Sequence, residues 1–119
     1  MGTTKQMKGG IMYDQKDIII IPFPYSDLTG AKLRPALIVS NGKINKTEDR
    51  ICCLVTSNKP KDGVLIDSVS SGKLPFKSWV KPHRLFCVNE KIIKKKVCSV
   101  TNKFHNKVVS SVKGYLESE

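Results

Sequence analysis

Apolar residues lie along most of this chain in short runs, and only its last segment carries a helical stripe. Asp17-Ile18-Ile19-Ile20-Ile21-Pro22 shows no alternation of polar and apolar positions, so it predicts a strand covered on both faces and central in a sheet. Phe23 to Leu33 then reads as an eleven-residue loop, long for a hairpin and of the kind that often carries function. A second strand begins near Leu33 within K-L-R-P-A-L-I-V-S (Lys32 to Ser40) and ends at the Asn41-Gly42 turn signal. Asn41 to Asp49 reads as a polar turn region. Arg50 to Ser57 predicts a third strand, apolar on both faces until two hydroxyls close it.

The remaining pattern is shorter in period. Asn58 to Gly63 is turn-rich and basic, Val64-Leu65-Ile66 a short strand, and the stretch through Gly72 to Pro75 a Ser/Gly/Lys loop. Ser78 to Val88 predicts one strand bent at Pro82, which has no N–H for a ladder and so belongs at an edge or a bulge. Lys91 to Val100 reads as the last strand. At Thr101 or Asn102, either a good N-cap, the period changes: Phe104, Val108, Val112 and Tyr115/Leu116 form the apolar stripe of an amphipathic helix. Several short strands and one terminal helix predict a mainly β fold, a small, strongly bent sheet or barrel. Met1 to about residue 12 is polar, basic and Gly-paired and reads as a loose tail, leaving residues 13–119 as a single domain.

Charge narrows the function. Twenty-one Lys+Arg against ten Asp+Glu give a net charge of +11, which favours a polyanionic partner: RNA or DNA first, an acidic protein second. No run approaches the ~20 apolar residues of a membrane span, and no signal peptide precedes the first strand, so a cytoplasmic protein without a membrane partner is expected. Of the four cysteines, Cys52 and Cys53 are adjacent and would point to opposite faces of a strand; there is no C-x-x-C pair and no His at finger spacing. Cys52, Cys53, Cys87 and Cys98 are therefore read as reduced thiols packed as small hydrophobes, and no metal or cofactor is expected.

Candidate chemistry starts at Arg34. Pro35 biases it towards an extended conformation at the mouth of an apolar strand, a rigid placement for a guanidinium fork that binds phosphate oxygens in pairs. Phe23, Tyr25, Phe76 and Trp79 interleave with Lys32, Lys59, Lys77 and Lys81, so rings could stack bases while cations hold phosphates; Phe23 and Trp79 read equally well as core or interface residues. Lys94-Lys95-Lys96 reads as a solvated strand face or a docking surface. His105, inside the helix, reads as a surface or packing residue.

The order I-P-F-P-Y-S-D, K-L-R-P-A-L-I-V-S, L-V-T-S-N and S-W-V-K-P-H-R-L-F resembles the MazF/PemK toxins of type II toxin–antitoxin systems, over about Lys16 to Leu116. The resemblance implies an SH3-like barrel of five to seven strands, a homodimer, and a metal-independent, sequence-selective endoribonuclease (an mRNA interferase) that cuts single-stranded RNA. It also implies a cognate antitoxin whose acidic segment occupies the RNA groove. The family's catalytic pair falls on Arg34 and Thr56. Two positions depart from the family pattern: Lys16-Asp17 stands where Gly-Asp is usual, and His83 where relatives often carry an acid or an amide. His83 has a pKa range suited to proton transfer and is a third catalytic candidate. The RNA-contacting set expected is Phe23, Tyr25, Lys32, Ser57, Lys59, Lys77, Lys81 and Arg84. The rival expectation is a non-catalytic module on the same barrel, either RNA binding without cleavage or a CcdB-like inhibitor of DNA gyrase acting through the end of the terminal helix.

Overall fold

The structure, a computed structural model, describes residues 12–24 and 31–119; Tyr25 lies outside that range, as do residues 1–11 of the expected tail. Strands β1 (Asp17–Pro24) and β2 (Ala31–Ile38) form a hairpin whose register runs from Ile18 opposite Leu37 to Pro24 opposite Ala31. The expected eleven-residue loop is thus absorbed into strand from both sides, and Arg34 lies inside β2 rather than at its entrance. Pro24, with Asp27 and Thr29-Gly30, made this stretch look like loop, and Pro22 and Pro35 flank it. The Ile20 carbonyl accepts from Lys94 N (2.8 Å) on the β7 side. Ladder alternation then sends the amide positions of Pro22 and Pro24 to that same side, which β7 leaves unpaired beyond Ile20. Pro35, opposite Ile20, turns its amide position towards β3, where pairing starts only at Ala36. Each proline places its missing donor on an open flank, so none breaks the hairpin.

After β2 come a short helix α1 (Gly42–Asn45), β3 (Asp49–Thr56), β4 (Val64–Leu65), β5 (Val69–Gly72), β6 (Trp79–Asn89), a 3-10 turn (Glu90–Ile92), β7 (Lys95–Val100) and α2 (Asn102–Leu116). Helix α1 occupies the expected turn region because Asn41 caps it, accepting from Lys43 N at 2.9 Å. The 3-10 turn takes the first residues of the expected last strand. Strand β5 replaces part of an expected loop: V-S-S-G is too polar to read as strand, but it lies at the sheet edge with three of its four residues exposed. Gly72 closes it at φ +76°, and any Cβ there would meet Cys98 Cα and Val97 O at 2.9 Å.

All pairings are antiparallel, in the order β4-β6-β3-β2-β1-β7-β5. The outer strands β4 and β5 are consecutive in the chain, joined by residues 66–68 alone. A flat seven-stranded sheet would hold them about 29 Å apart, whereas Leu65 to Val69 can span only about 14 Å. The sheet must therefore curl nearly into a barrel. Its inner face buries Ile18, Leu37, Cys53, Val55, Val80 and Val100 with Phe104 and Val108 of α2. The other face of the same central strands buries Ile19, Ile21, Ala36, Ile38 and Cys52. This is the two-sided burial that the unbroken apolar runs imply, and Cys52 and Cys53 go to opposite layers. In β6 the register with β3 jumps from Leu54–Lys81 to Cys53–Leu85, so Pro82, His83 and Arg84 form a bulge in which Pro82 is buried and His83 and Arg84 are exposed. Among the described residues no helix is long and apolar enough to cross a membrane.

Helix α2 starts as expected, with the Thr101 hydroxyl accepting from Phe104 N at 3.2 Å. Its stripe is buried through Phe104 and Val108 but runs out at Tyr115 and Leu116, which are exposed. His105 is buried, and its Nδ1 has no hydrogen-bond partner among the described residues. Burial, and then the charge of Lys16, hold its pKa below the usual 6.5. The unfolded chain therefore binds the proton more readily. Stability that depends on neutral His105 is complete above pH 6.5 and erodes below it, by at most about 1.4 kcal/mol per pH unit. Urea midpoints of the wild type are expected to fall as the pH drops below 6.5, and those of His105→Gln to stay flatter. Equal slopes for the two proteins would assign the acid sensitivity elsewhere.

Candidate functional site

The ladder between β2 and β3 pairs Ile38 with Cys52, Leu37 with Cys53 and Ala36 with Leu54, and then stops. Carried two steps further, that register would bring Arg34 across from Thr56, and both residues line what lies beyond the end of the ladder. There the strands have parted, and a cleft of about 420 Å³ opens between them. Pro35, with no N–H to offer β3, marks the point of parting. One wall of the cleft is Lys32 to Pro35 of β2 with Val55 to Asn58; the base is Ile18, Ile20 and Val97; and the segment after β5 contributes Leu74, Pro75, Phe76 and Ser78.

Local hydrogen bonds fix both walls. Asn58 N donates to Thr56 Oγ1 at 3.1 Å, and the Thr56 hydroxyl donates to Asn58 O over a long 3.4 Å, a bond it can exchange for a ligand oxygen; this turn pins the end of β3 and places Ser57 and Asn58 on the lining. On the far side, buried Ser78 donates its Oγ to Phe76 O at 2.8 Å, and its carbonyl accepts from Ile66 N at 2.9 Å. Arg34 and Thr56 are both half-buried. The site therefore sets a guanidinium, an ammonium (Lys32) and hydroxyls against a largely apolar wall. That combination suits a ligand carrying an anion and a flat apolar group together.

Of the residues expected from the sequence, Arg34, Thr56, Lys32 and Ser57 line this cleft, as does Phe76 of the base-stacking aromatics. The other described ones do not. His83 and Arg84 lie on the β6 bulge, with the His83 ring edge-on to Tyr115 of α2 at 6.2 Å between centroids. Phe23 packs against Phe86 at 5.2 Å in the outer core layer. The Lys77 ammonium sits 5.9 Å from the Trp79 ring centre, Lys81 lies in the row of Leu54, and Lys59 follows Asn58 outside the lining. Tyr25 lies outside the described residues. In the lysine run, Lys96 is held 3.6 Å from the buried Asp17 carboxylate. Sequence reasoning missed Asn58 and Ser78. Their signal was positional, a polar residue just beyond a strand end and a serine just ahead of Trp79.

Of the four thiols expected to pack as small hydrophobes, Cys52, Cys53 and Cys98 are buried, whereas Cys87 is exposed because it falls on the outward side of β6. Burial, chiefly, pushes Cys52 and Cys53 up to about 12, so both remain protonated at neutral pH and are neither nucleophiles nor ligands. Among the described residues no three His, Cys, Asp or Glu side chains gather as a metal site would require.

The family model described as “PemK-like, MazF-like toxin of type II toxin-antitoxin system” matches residues 14–116. No curated protein is significantly similar in sequence. Among solved structures, an endoribonuclease in complex with its cognate antitoxin from a mycobacterial species superposes with a TM-score of 0.67 at 18% identity, over 90% of this chain and 99% of the other. A second mycobacterial endoribonuclease gives 0.70 at 16% identity over 89% and 92%. MazE–MazF from Deinococcus radiodurans gives 0.69 at 15% identity over 92% and 99%. At these identities the likeness establishes the fold.

Proposed function

The chain belongs to the PemK-like, MazF-like toxins of type II toxin–antitoxin systems, and on that footing we propose that its cleft binds single-stranded RNA and cuts it. The observation that carries this reading is the cleft that Arg34 and Thr56 line together where β2 and β3 part. RNA brings its own nucleophile: the 2′-hydroxyl gives up its proton to solvent as its oxygen attacks the adjacent phosphorus, the bond to the 5′-oxygen breaks as that oxygen takes a proton from solvent, and a 2′,3′-cyclic phosphate and a 5′-hydroxyl result. What the protein must supply is stabilisation of the charge that grows on the phosphorane oxygens. Arg34 does this with a permanently charged fork of donors, and Thr56 orients a non-bridging oxygen by donating its hydroxyl hydrogen. Lys32 and Ser57 hold the phosphate path beside them. His83, turned onto Tyr115, has no step assigned to it.

The net charge of +11 supports two partners of one kind, the RNA and an antitoxin whose acidic segment covers the cleft. The protein works in the cytoplasm as a homodimer, with residues 13–119 as its one domain. In excess chelator, purified protein is expected to cut a long single-stranded RNA at discrete positions, leaving cyclic phosphate ends. Loss of cutting on chelation would contradict the metal-free reading. No cuts from a folded wild type would transfer the function to the exposed helix end at Tyr115 and Leu116, as a protein-binding toxin.

A further inference from the structure

Two features of the cleft are left over once Arg34 and Thr56 are placed. The first is its pair of exposed apolar side chains. Most large hydrophobic residues of this chain are covered, yet Leu33 is 59% and Phe76 70% exposed, and both line the cleft, one from β2 and one from the segment after β5. The second is that Phe76 is held in place. Ser78, buried, bonds the Phe76 carbonyl. At the other end of the segment, Gly72 takes a positive φ and packs its backbone against Cys98 so closely that no side chain fits. An exposed aromatic face on an anchored backbone, in the same cleft as a guanidinium, is a poor surface for water and a good one for a flat ring that carries a phosphate.

We propose that Phe76 is the base-stacking platform of the cleft: one nucleobase next to the phosphate held by Arg34 leaves the RNA stack and lies on the Phe76 ring, with Leu33 bounding it from β2. This rests on the reading of the cleft as an RNA site and adds to it the residue that positions the strand. The occupant follows from charge complementarity. The groups adjoining the apolar wall are Arg34 and Lys32, so the ligand is anionic where it leaves the ring, as a nucleotide is. Apolar contact alone reads bases weakly, so Phe76 fixes where the strand sits, and the rim amide of Asn58 is placed to read an edge.

The test uses binding separately from cleavage. A short RNA spanning a mapped cut is 2′-O-methylated throughout, so that it binds but carries no nucleophile, and a parallel series carries one abasic position at a time. Phe76→Ala is expected to weaken binding roughly ten- to hundredfold, with Phe76→Trp restoring most of it. In the wild type one abasic position should cost about as much as the mutation, and that same position should cost nothing further in Phe76→Ala. An unchanged abasic profile in Phe76→Ala, or undiminished binding, overturns the proposal while leaving the nuclease reading intact. A change in oligomeric state with the loss of binding overturns it too, and assigns Phe76 to an interface between copies. A wild type that binds no RNA overturns both readings.

Discussion

Arg34→Ala is expected to abolish RNA cleavage, by at least 10²–10³-fold, in a protein that unfolds at nearly the wild-type urea concentration. The two halves of that expectation come from the same geometry. Arg34 lies where β2 has left β3, so its side chain is not part of either buried layer, and truncating it opens no cavity in the core. In the proposed reaction its fork, by contrast, faces the charge that develops as the phosphorus gains a fifth ligand, and a donor set for that charge acts far more strongly in a sheltered cleft than in water. Arg34→Lys keeps the charge but loses the planar pair of donors, and should recover only part of the rate. Single-turnover rates on a mapped substrate, read beside the unfolding curves, decide the matter. Cutting by Arg34→Ala at the wild-type rate would remove Arg34 from the mechanism.

The second large effect is on stability and concerns Arg50. Its guanidinium is 1% exposed, the largest fully buried side chain described. It donates from Nε to Tyr13 O (2.8 Å), from Nη1 to Thr47 O (2.9 Å) and Asp49 O (2.8 Å), and from Nη2 to the Glu90 carboxylate (3.1 Å). One residue thereby ties the segment before β1, the turn after α1 and the 3-10 turn to the start of β3. Arg50→Ala would leave a cavity and several carbonyls without donors, and is expected to cost about 3–5 kcal/mol. That is a large share of the 5–15 kcal/mol typical of a domain. Glu90→Gln should cost less, about 1–3 kcal/mol, because the three carbonyls remain around the cation and Glu90 is itself partly exposed. Urea unfolding followed by Trp79 fluorescence measures both. A loss below about 1 kcal/mol for Arg50→Ala would mean that water replaces the guanidinium at little cost.

The burial of Arg50 was not legible in the sequence, and that of His105 was one of two readings, surface or packing, between which the structure decides. A charged residue at the head of an apolar strand reads as a solvated end, and only the fold shows three carbonyls converging on it. The central strands were legible because two-sided burial leaves unbroken apolar runs, as in Ile18 to Ile21 and Arg50 to Val55. The Thr101 cap and the bulge at Pro82 were legible through local chemistry, a missing donor or a well-placed hydroxyl. Strand β5 was not, since an edge strand with exposed hydroxyls obeys no apolar pattern. The parting of β2 from β3 explains the mixed result at the site. Arg34 and Thr56 are brought to one cleft by a register that Pro35 interrupts. His83 and Arg84, close to the same motif in sequence, are turned out by three extra residues in β6, a displacement no spacing argument contains.

The three prolines of the hairpin also bear on what else can join this sheet. An unpaired strand flank is a template on which another extended chain can add itself, and long flanks of that kind seed aggregation. Here the flank of β1 beyond Ile20 carries Pro22 and Pro24, and the open side of β2 carries Pro35. A strand arriving at either flank meets acceptors without donors at those positions, so its backbone cannot complete a ladder. Whatever settles in the cleft must be held by side chains and charge. The parted strands are in that sense open to a polyanion and closed to stray copies of a β-rich chain.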